Sequence, residues 1–198
     1  MSRPSVPVLL RTGRPRRRDA ERNRARILDV ARRLVHDRGI DVVTMDALAA
    51  AAGVGKGTLY RAFGNRAGLA EALLDEAETE LQERMLSGPP PLGWGAPPGR
   101  RLRAFVSAYV DFLSSNVELL VETERGAPGA RFHTGAYAFW HAHLAGLLRQ
   151  DGRTDPEVLA HALLALLAAD LHRHLRAQQV DPARVEAVIL GLLDANAR

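Results

Sequence analysis

A cluster of hydrogen-bonding side chains lies in the segment TMDALAAAAGVGKGTLYRAF, Thr44–Phe63. Lys56 carries an ammonium group, and Thr58 and Tyr60 carry hydroxyls. Such groups donate hydrogen bonds to phosphate oxygens and to the edges of bases. Gly57 lies among them and would let another molecule approach the backbone closely. The spacing therefore indicates recognition of a polyanion rather than bond-breaking chemistry.

The elements that position these groups are predicted to be two short helices joined by a tight turn. Thr44 is a good N-cap for a helix Met45–Ala52, and Gly53 tolerates the positive φ that the turn requires. Ala49 is small enough for the two helices to touch there. The apolar face of the pair comprises Leu48, Ala52, Val54, Leu59 and Ala62. A buried helical hairpin would share this face, but it would not explain the polar outer side of the second helix, Gly55–Phe63. The pattern predicts a helix-turn-helix.

Charge is distributed unevenly along the 198 residues. Residues 1–66 hold 15 Lys and Arg against 6 Asp and Glu, a net +9, and residues 67–198 carry a net −5. A basic head on an acidic body is typical of proteins whose head binds nucleic acid, although a solubilising tail has the same composition.

The remainder of the chain reads as helix, because Ala, Leu and Arg dominate and no alternating strand pattern is found. We predict an all-α fold of about nine helices. A basic arm, 1–18, is expected to be disordered when free, followed by a DNA-binding head, 19–65, and a helical body, 66–198. Helix 1 is placed from Asp19 to Arg38, and a Pro/Gly-rich loop occupies 87–99. The helices expected after this loop are Arg100–Asn116 with a continuation to Arg125, Ala130–Gln150, Pro156–Ala177 and Pro182–Ala197.

Signals for other classes of protein are weak. We find no nucleophile elbow, phosphate-binding loop or zinc spacing, so an enzyme is not expected. Within each of the pairs His141-x-His143 and His172-x-His174, the two histidines point to different sides of a helix. Neither a metal nor a cofactor is therefore predicted. The longest apolar run, Ala162–Ala169, is too short to span a membrane, and a cytoplasmic location without membrane association is expected.

The segment GVGKGTLYRAFGNRAGL, Gly53–Leu69, resembles the signature of the TetR family of bacterial regulators. The T-x-x-x-L-A pattern, Thr44–Ala49, and the preceding helix match as well. This resemblance implies a homodimer that binds a palindromic operator in double-stranded DNA, usually represses, and is usually released by a small molecule. Gly55 departs from the family pattern, in which Ser often caps this helix.

In such a protein the helix after Gly55 enters the major groove with its N-terminal end leading. Lys56 would then contact guanine or a phosphate, Thr58 a base edge, and Tyr60 a phosphate, while Gly57 allows close approach. Thr44 and Arg66 are expected to bind phosphates, and Arg61 is a further candidate. The arm would contact the minor groove or the phosphates through Arg14, Arg16 and Arg17.

Two apolar stripes near the C-terminus favour a four-helix dimer interface, although part of each stripe must also pack inward. The residues predicted there are Leu163, Leu167, Leu171, Val185, Val188, Ile189 and Leu192.

The ligand of the implied pocket is unknown. Its predicted contacts are Phe105, Tyr109, Phe112, Phe132, Tyr137, Trp140 and His143, although aromatic stripes often belong to a core. Glu122 and Glu124 could meet a cationic ligand, but solvated surface is the commoner role of such residues.

Two alternatives remain open at this stage. The regulator could be an activator or act without a ligand, or the chain could be a structural protein that binds DNA without sequence preference.

Overall fold

The structure, a computed structural model, describes residues 13–124 and 129–196. Helix-forming residues and well-placed caps make the regular structure of these residues helical throughout. The all-α prediction is confirmed. The α-helices are α1 (Gly13–Arg38), α2 (Met45–Ala52), α3 (Lys56–Phe63), α4 (Arg66–Ser87), α5 (Pro98–Glu124), α6 (Gly135–Gln150), α7 (Pro156–Leu166), α8 (Ala169–Ala177) and α9 (Pro182–Ala195). Short 3-10 turns occupy Ile40–Val42 and Ala130–His133.

The chain divides into two compact units, Met1–Arg66 and Ala67–Arg198. In the first unit, each of the three helices buries residues at helical spacing, so one face of each turns to a shared core. The buried positions are Ile27, Leu28 and Ala31 on α1, Met45, Leu48, Ala49 and Ala52 on α2, and Leu59 and Phe63 on α3.

α1 begins at Gly13, six residues before the start predicted at Asp19. Pro15 lies in the first turn, where a missing backbone N–H leaves no helical hydrogen bond unmade. From Arg16 to Arg38 the sequence contains neither Gly nor Pro, so nothing local ends the helix.

In the second unit, α5 packs against α6, α8 and α9, and α6 packs against α7. α5 is the central helix, and Leu102, Phe105 and Val106 on it are fully buried. It is one continuous helix to Glu124 rather than a helix that ends at Asn116 with a short continuation. The Asn116 amide donates to the carbonyl of Phe112 at 2.9 Å, so the side chain bonds along the helix instead of ending it.

Two predicted helices are each divided in the structure. Thr134 accepts a hydrogen bond from the Tyr137 N–H at 3.1 Å and so starts α6, separating it from the 3-10 turn before it. The predicted helix Pro156–Ala177 is broken at Leu167 and Ala168, between α7 and α8.

Side-chain hydrogen bonds satisfy carbonyls beside the second break. Carbonyls near a helix end lose their i+4 partners and need others. The Leu164 carbonyl accepts from Arg131 at 2.7 Å, and the Leu166 carbonyl lies 3.1 Å from Nε2 of His172. Burial lowers the pKa of His172, while this hydrogen bond opposes that change.

Two stretches are long and apolar enough to cross a membrane by length and composition alone, Pro98–Glu124 and Pro156–Ala177. Core helices of water-soluble proteins meet the same criterion. The most apolar part of the first stretch is 61% buried within the chain, and the second is broken at Leu167.

Candidate nucleic-acid interface and ligand cavity

The turn between α2 and α3 follows from its capping residues. Thr44 accepts a hydrogen bond from the Ala47 N–H at 3.1 Å, which caps α2. Gly53 ends the helix in the left-handed region, with φ 63° and ψ 37°. The Val54 N–H returns to the Ala49 carbonyl at 3.0 Å, and Gly55 then starts α3 in an extended conformation. Backbone and cap hydrogen bonds thus define a helix-turn-helix.

The outer side of α3 faces solvent. Lys56, Gly57, Tyr60 and Arg61 are exposed and Thr58 is half-buried, whereas Leu59 and Phe63 face the core. A Cβ at Gly57 would meet no atom within 4 Å, so this glycine is not required by packing. Tyr60 is 47% exposed although its ring is large and apolar. The residues predicted to contact DNA on α3 therefore lie together on an accessible surface.

Lys56 has a partner, Asp46, that residue spacing did not predict. Its Nζ lies 2.6 Å from Oδ2 of Asp46 on α2. The hydrogen bond and the charge of Asp46 raise the pKa of Lys56, so the ammonium remains charged. Both side chains are exposed, and an ion pair in water contributes little stability. A phosphate or a guanine could therefore replace Asp46 at low energetic cost.

The other predicted phosphate ligands have structural contacts. Arg61 Nε donates to the Gly57 carbonyl at 3.1 Å, and Arg66 donates to the Asp41 carbonyl at 3.0 Å. These contacts hold each guanidinium beside the backbone, and an arginine has five N–H donors in all.

A positioning residue for α3 was also missed. Arg24 on α1 donates to the Ala62 carbonyl at 3.2 Å, and its guanidinium lies 4.6 Å from the ring centroid of Phe63. These contacts tie the C-terminal end of α3 to α1. The partners are separated by 38 residues, so no local spacing could have indicated them.

Residues 1–12 of the predicted arm lie outside the described residues. At 13–18, which include Arg14, Arg16 and Arg17, the backbone continues α1 as helix rather than forming a separate arm.

A cavity of about 440 Å³ lies in the second unit. Among the seven predicted ligand contacts, Tyr109, Tyr137 and Trp140 line it. No ligand role was predicted for Glu71, Asp75, Glu78 and Arg131, and solvated surface was the commoner role expected of Glu124. The charged residues of the lining are Glu71, Asp75, Glu78, Glu124 and Arg131.

The other four predicted contacts lie elsewhere. Phe105 and Phe112 are 0% and 7% exposed and belong to the core. Phe132 is 56% exposed and meets Tyr137 edge to face. His143 stacks on Phe139, and burial, followed by the charge of Arg101, lowers its pKa to about 4. None of these four side chains borders the cavity.

Electrostatics within the cavity disfavour additional negative charge. Burial, followed by the charge of Asp75, raises the pKa of Glu78 to about 7. Burial also raises the pKa of Glu124, against the opposing charge of Arg131. Burial and then the charge of Glu78 raise the pKa of Tyr109, so its phenol is neutral. Burial therefore disfavours the ionised forms of Glu78 and Glu124.

The predicted dimer residues divide into three groups. Leu163, Leu167 and Ile189 are 1–2% exposed within the chain itself. Leu171 and Val185 are half-buried. Val188 and Leu192, one helical turn apart on α9, are 63% and 52% exposed. The exposed apolar surface is thus narrower than the predicted stripe, because the inner half of each stripe packs inside the unit.

Comparison with known proteins places these features in context. Residues 27–73 match the profile of bacterial regulatory proteins, tetR family. An HTH-type transcriptional regulator of Staphylococcus aureus strain USA300 is 40% identical over 53 residues, which span 27% of this chain and 29% of the relative.

Two solved structures share the fold. A TetR-family transcriptional regulator from Pectobacterium atrosepticum has a TM-score of 0.66 and 24% identity, covering 90% of this chain and 94% of that one. A candidate transcriptional regulator from Saccharomonospora viridis, in complex with choline, has a TM-score of 0.71 and 20% identity, covering 89% and 97%. Residues 27–73 therefore match the DNA-binding segment of the tetR family of bacterial regulatory proteins, and the described residues share the helical fold of these two structures.

Proposed function

We propose that this protein is a cytoplasmic, homodimeric transcription regulator that binds a palindromic DNA operator, represses, and is released by a small molecule. The observation that carries the proposal is the accessible face of α3, where Lys56, Gly57 and Tyr60 lie beside one another. A recognition helix enters the major groove with its N-terminal residues against base edges. The net +9 of residues 1–66 supports attraction to the phosphate backbone.

Dimerisation is proposed through α9 and the exposed part of the α7–α8 region. Val188 and Leu192 on α9 and Val158 on α7 are more than half exposed despite being apolar. Such surface supports an interface with a second copy, and a two-fold dimer matches two half-sites.

The experiment that tests this function is selection of bound duplexes from a random pool with the purified protein. We expect one short palindrome to be recovered, bound at least three decades more tightly than random duplex at one salt concentration. Equal affinity for all duplexes would instead identify a structural DNA-binding protein. A reporter whose expression rises with the protein would identify an activator.

Replacing Gly57 with alanine is expected to weaken operator binding while leaving the fold intact. The new methyl group meets no atom of the protein within 4 Å, and alanine is the better helix former. In the complex the same methyl group would obstruct the backbone's approach to DNA. We expect a loss on the order of tenfold, about 1.4 kcal/mol, measured by fluorescence anisotropy with the selected operator.

Gly146→Ala on α6 is the matched control, because its Cβ also meets nothing within 4 Å. Both alanine variants should gain slightly in thermal stability. The Gly146 variant should bind the operator with unchanged affinity. Equal affinity of the Gly57 variant and the wild type would argue against close approach at α3.

The basic start of α1 is tested by Arg14→Gln, Arg16→Gln and Arg17→Gln in one variant, which keeps the chain length. Each lost phosphate contact lowers the slope of log K against log salt by about 0.9. We therefore expect weaker binding and a shallower slope, measured by titrating operator at several salt concentrations. An unchanged slope would show that these arginines do not touch DNA.

A further inference from the structure

The cavity in the second unit has an excess of negative groups without partners. Its lining includes Glu71, Asp75, Glu78 and Glu124 but a single basic residue, Arg131. Glu71 and Asp75 are exposed, whereas Glu78 and Glu124 are half-buried. Among the described residues, none of these four carboxylates has an ion pair or a hydrogen bond. The inner carboxylates are therefore available to a ligand.

Arg131 already contacts a backbone carbonyl and two aromatic rings. Its guanidinium donates to the Leu164 carbonyl at 2.7 Å and lies 5.3 Å and 5.5 Å from the ring centroids of Phe132 and Tyr137. Because these contacts hold the guanidinium against backbone and rings, it does not form an ion pair with Glu78 or Glu124 among the described residues. Among the described residues, the lining therefore offers one basic side chain for four carboxyl groups, and that side chain has other partners.

The apolar part of the lining is aromatic. Tyr109 and Trp140 meet edge to face with centroids 5.6 Å apart, and Tyr137 completes the aromatic surface of the cavity. Faces of aromatic rings attract cations, including ammonium groups that carry no hydrogen-bond donor. Rings and carboxylates in one cavity select positive charge by two independent interactions.

One phenol hydroxyl of the lining also has no hydrogen-bond partner among the described residues. Tyr109 is 8% exposed, and its hydroxyl has no hydrogen bond to any other described residue. The neutral phenol could donate to an oxygen of a ligand or accept from its N–H.

We propose that this cavity binds an amphipathic organic cation, an amine or a quaternary ammonium whose charge lies between Glu78 and Glu124 and whose apolar part lies against Tyr109, Tyr137 and Trp140. The volume of about 440 Å³ suits a small organic molecule. No three acidic or imidazole side chains of the described residues converge as metal ligands, so a metal ion does not fit. The claim that this cation is the effector rests on the proposed regulatory function. Binding of the cation to the cavity can be measured without DNA.

Cation binding should be linked to release of a proton. Burial, followed by the charge of Asp75, raises the pKa of Glu78 to about 7, and a bound cation would lower it. At pH 6 the acid is mostly protonated and gives the cation no counter-charge, so affinity should rise several-fold between pH 6 and pH 8. The other titratable groups that face this region are Glu71, Asp75, Tyr109, Glu124, Arg131 and Tyr137; Asp170 also acts on Glu124.

The test uses isothermal titration of the full-length protein with three probes of one chain length: decyltrimethylammonium, decanol and decanoate. We expect the cation to bind best and decanoate worst. Glu78→Gln with Glu124→Gln should weaken cation binding about tenfold or more, while decanol binding stays within about twofold. Glu80→Gln on the exposed side of α4 is the matched control and should bind the cation as the wild type does.

Equal binding of decanoate, or an unchanged cation affinity in the double variant with its fold intact by circular dichroism, would overturn the proposal. Anisotropy of labelled operator in the same samples separates the two hypotheses. Operator binding without cation binding would refute this inference alone. Cation binding that leaves the operator complex intact would support the cavity assignment and refute the effector role.

Discussion

Simultaneous replacement of Lys56 and Tyr60 with alanine is expected to lower operator affinity about a hundredfold, roughly 2.7 kcal/mol. The expected loss combines a charged contact to guanine or phosphate with a phenol contact to phosphate, each worth about 1–3 kcal/mol where it is made. Both side chains are exposed in the free protein, at 65% and 47%, and alanine favours helix at both positions. The measurement is fluorescence anisotropy with the selected operator at fixed salt.

The control for lost positive charge is Arg84→Ala, at an exposed position on α4 in the second unit. It should leave the affinity within about twofold, because Arg84 lies outside the unit that carries α3. Thermal unfolding of the double variant should match that of the wild type. Wild-type affinity in a folded double variant would rule out α3 as the recognition helix.

Phe105→Ala is expected to lower the free energy of unfolding by about 3–5 kcal/mol, as large-to-small core substitutions of phenylalanine do. Phe105 is fully buried on α5, with its ring centroid 5.4 Å from that of Tyr109 and 6.3 Å from that of Trp140. Removal of the ring leaves a cavity that the surrounding helices cannot fully close. Urea unfolding followed by circular dichroism measures the loss.

Phe132→Ala is the matched control, since the same atoms are removed from a residue that is 56% exposed. Its ring meets Tyr137 and Arg131 only from outside the core, so a loss of about 1 kcal/mol or less is expected. Comparable losses in the two variants would show that Phe105 is not a core residue. The pair also tests whether Phe105 belongs to the core or to the ligand site.

The helix-turn-helix could be predicted from sequence because its determinants lie within 20 residues. Thr44 as cap, Gly53 with positive φ, and apolar positions at helical spacing are local requirements, and α2 has the predicted bounds Met45–Ala52. The Asp46–Lys56 ion pair and the Arg24 contacts with α3 could not be predicted in this way, since they depend on how the helices cross.

The lining of the ligand cavity is even less predictable from sequence than the contacts of α3. An aromatic stripe at helical spacing is compatible with a core or with a cavity, and the structure assigns Phe105 to the first and Tyr109 to the second. Glu78 looks like an ordinary surface residue of α4 until α5 and α6 supply the other walls. Its raised pKa reflects burial that no single helix produces.

The sequence alone determined the helical class, the turn at Gly53 and the polar outer side of α3, because each follows from interactions between residues a few positions apart. Helix packing, by contrast, sets the break at Leu167, the aromatic rings that border the cavity, and the carboxylates that meet there. These features depend on side chains such as Arg131 reaching a backbone carbonyl 33 residues away, and residue spacing carries no information about such contacts.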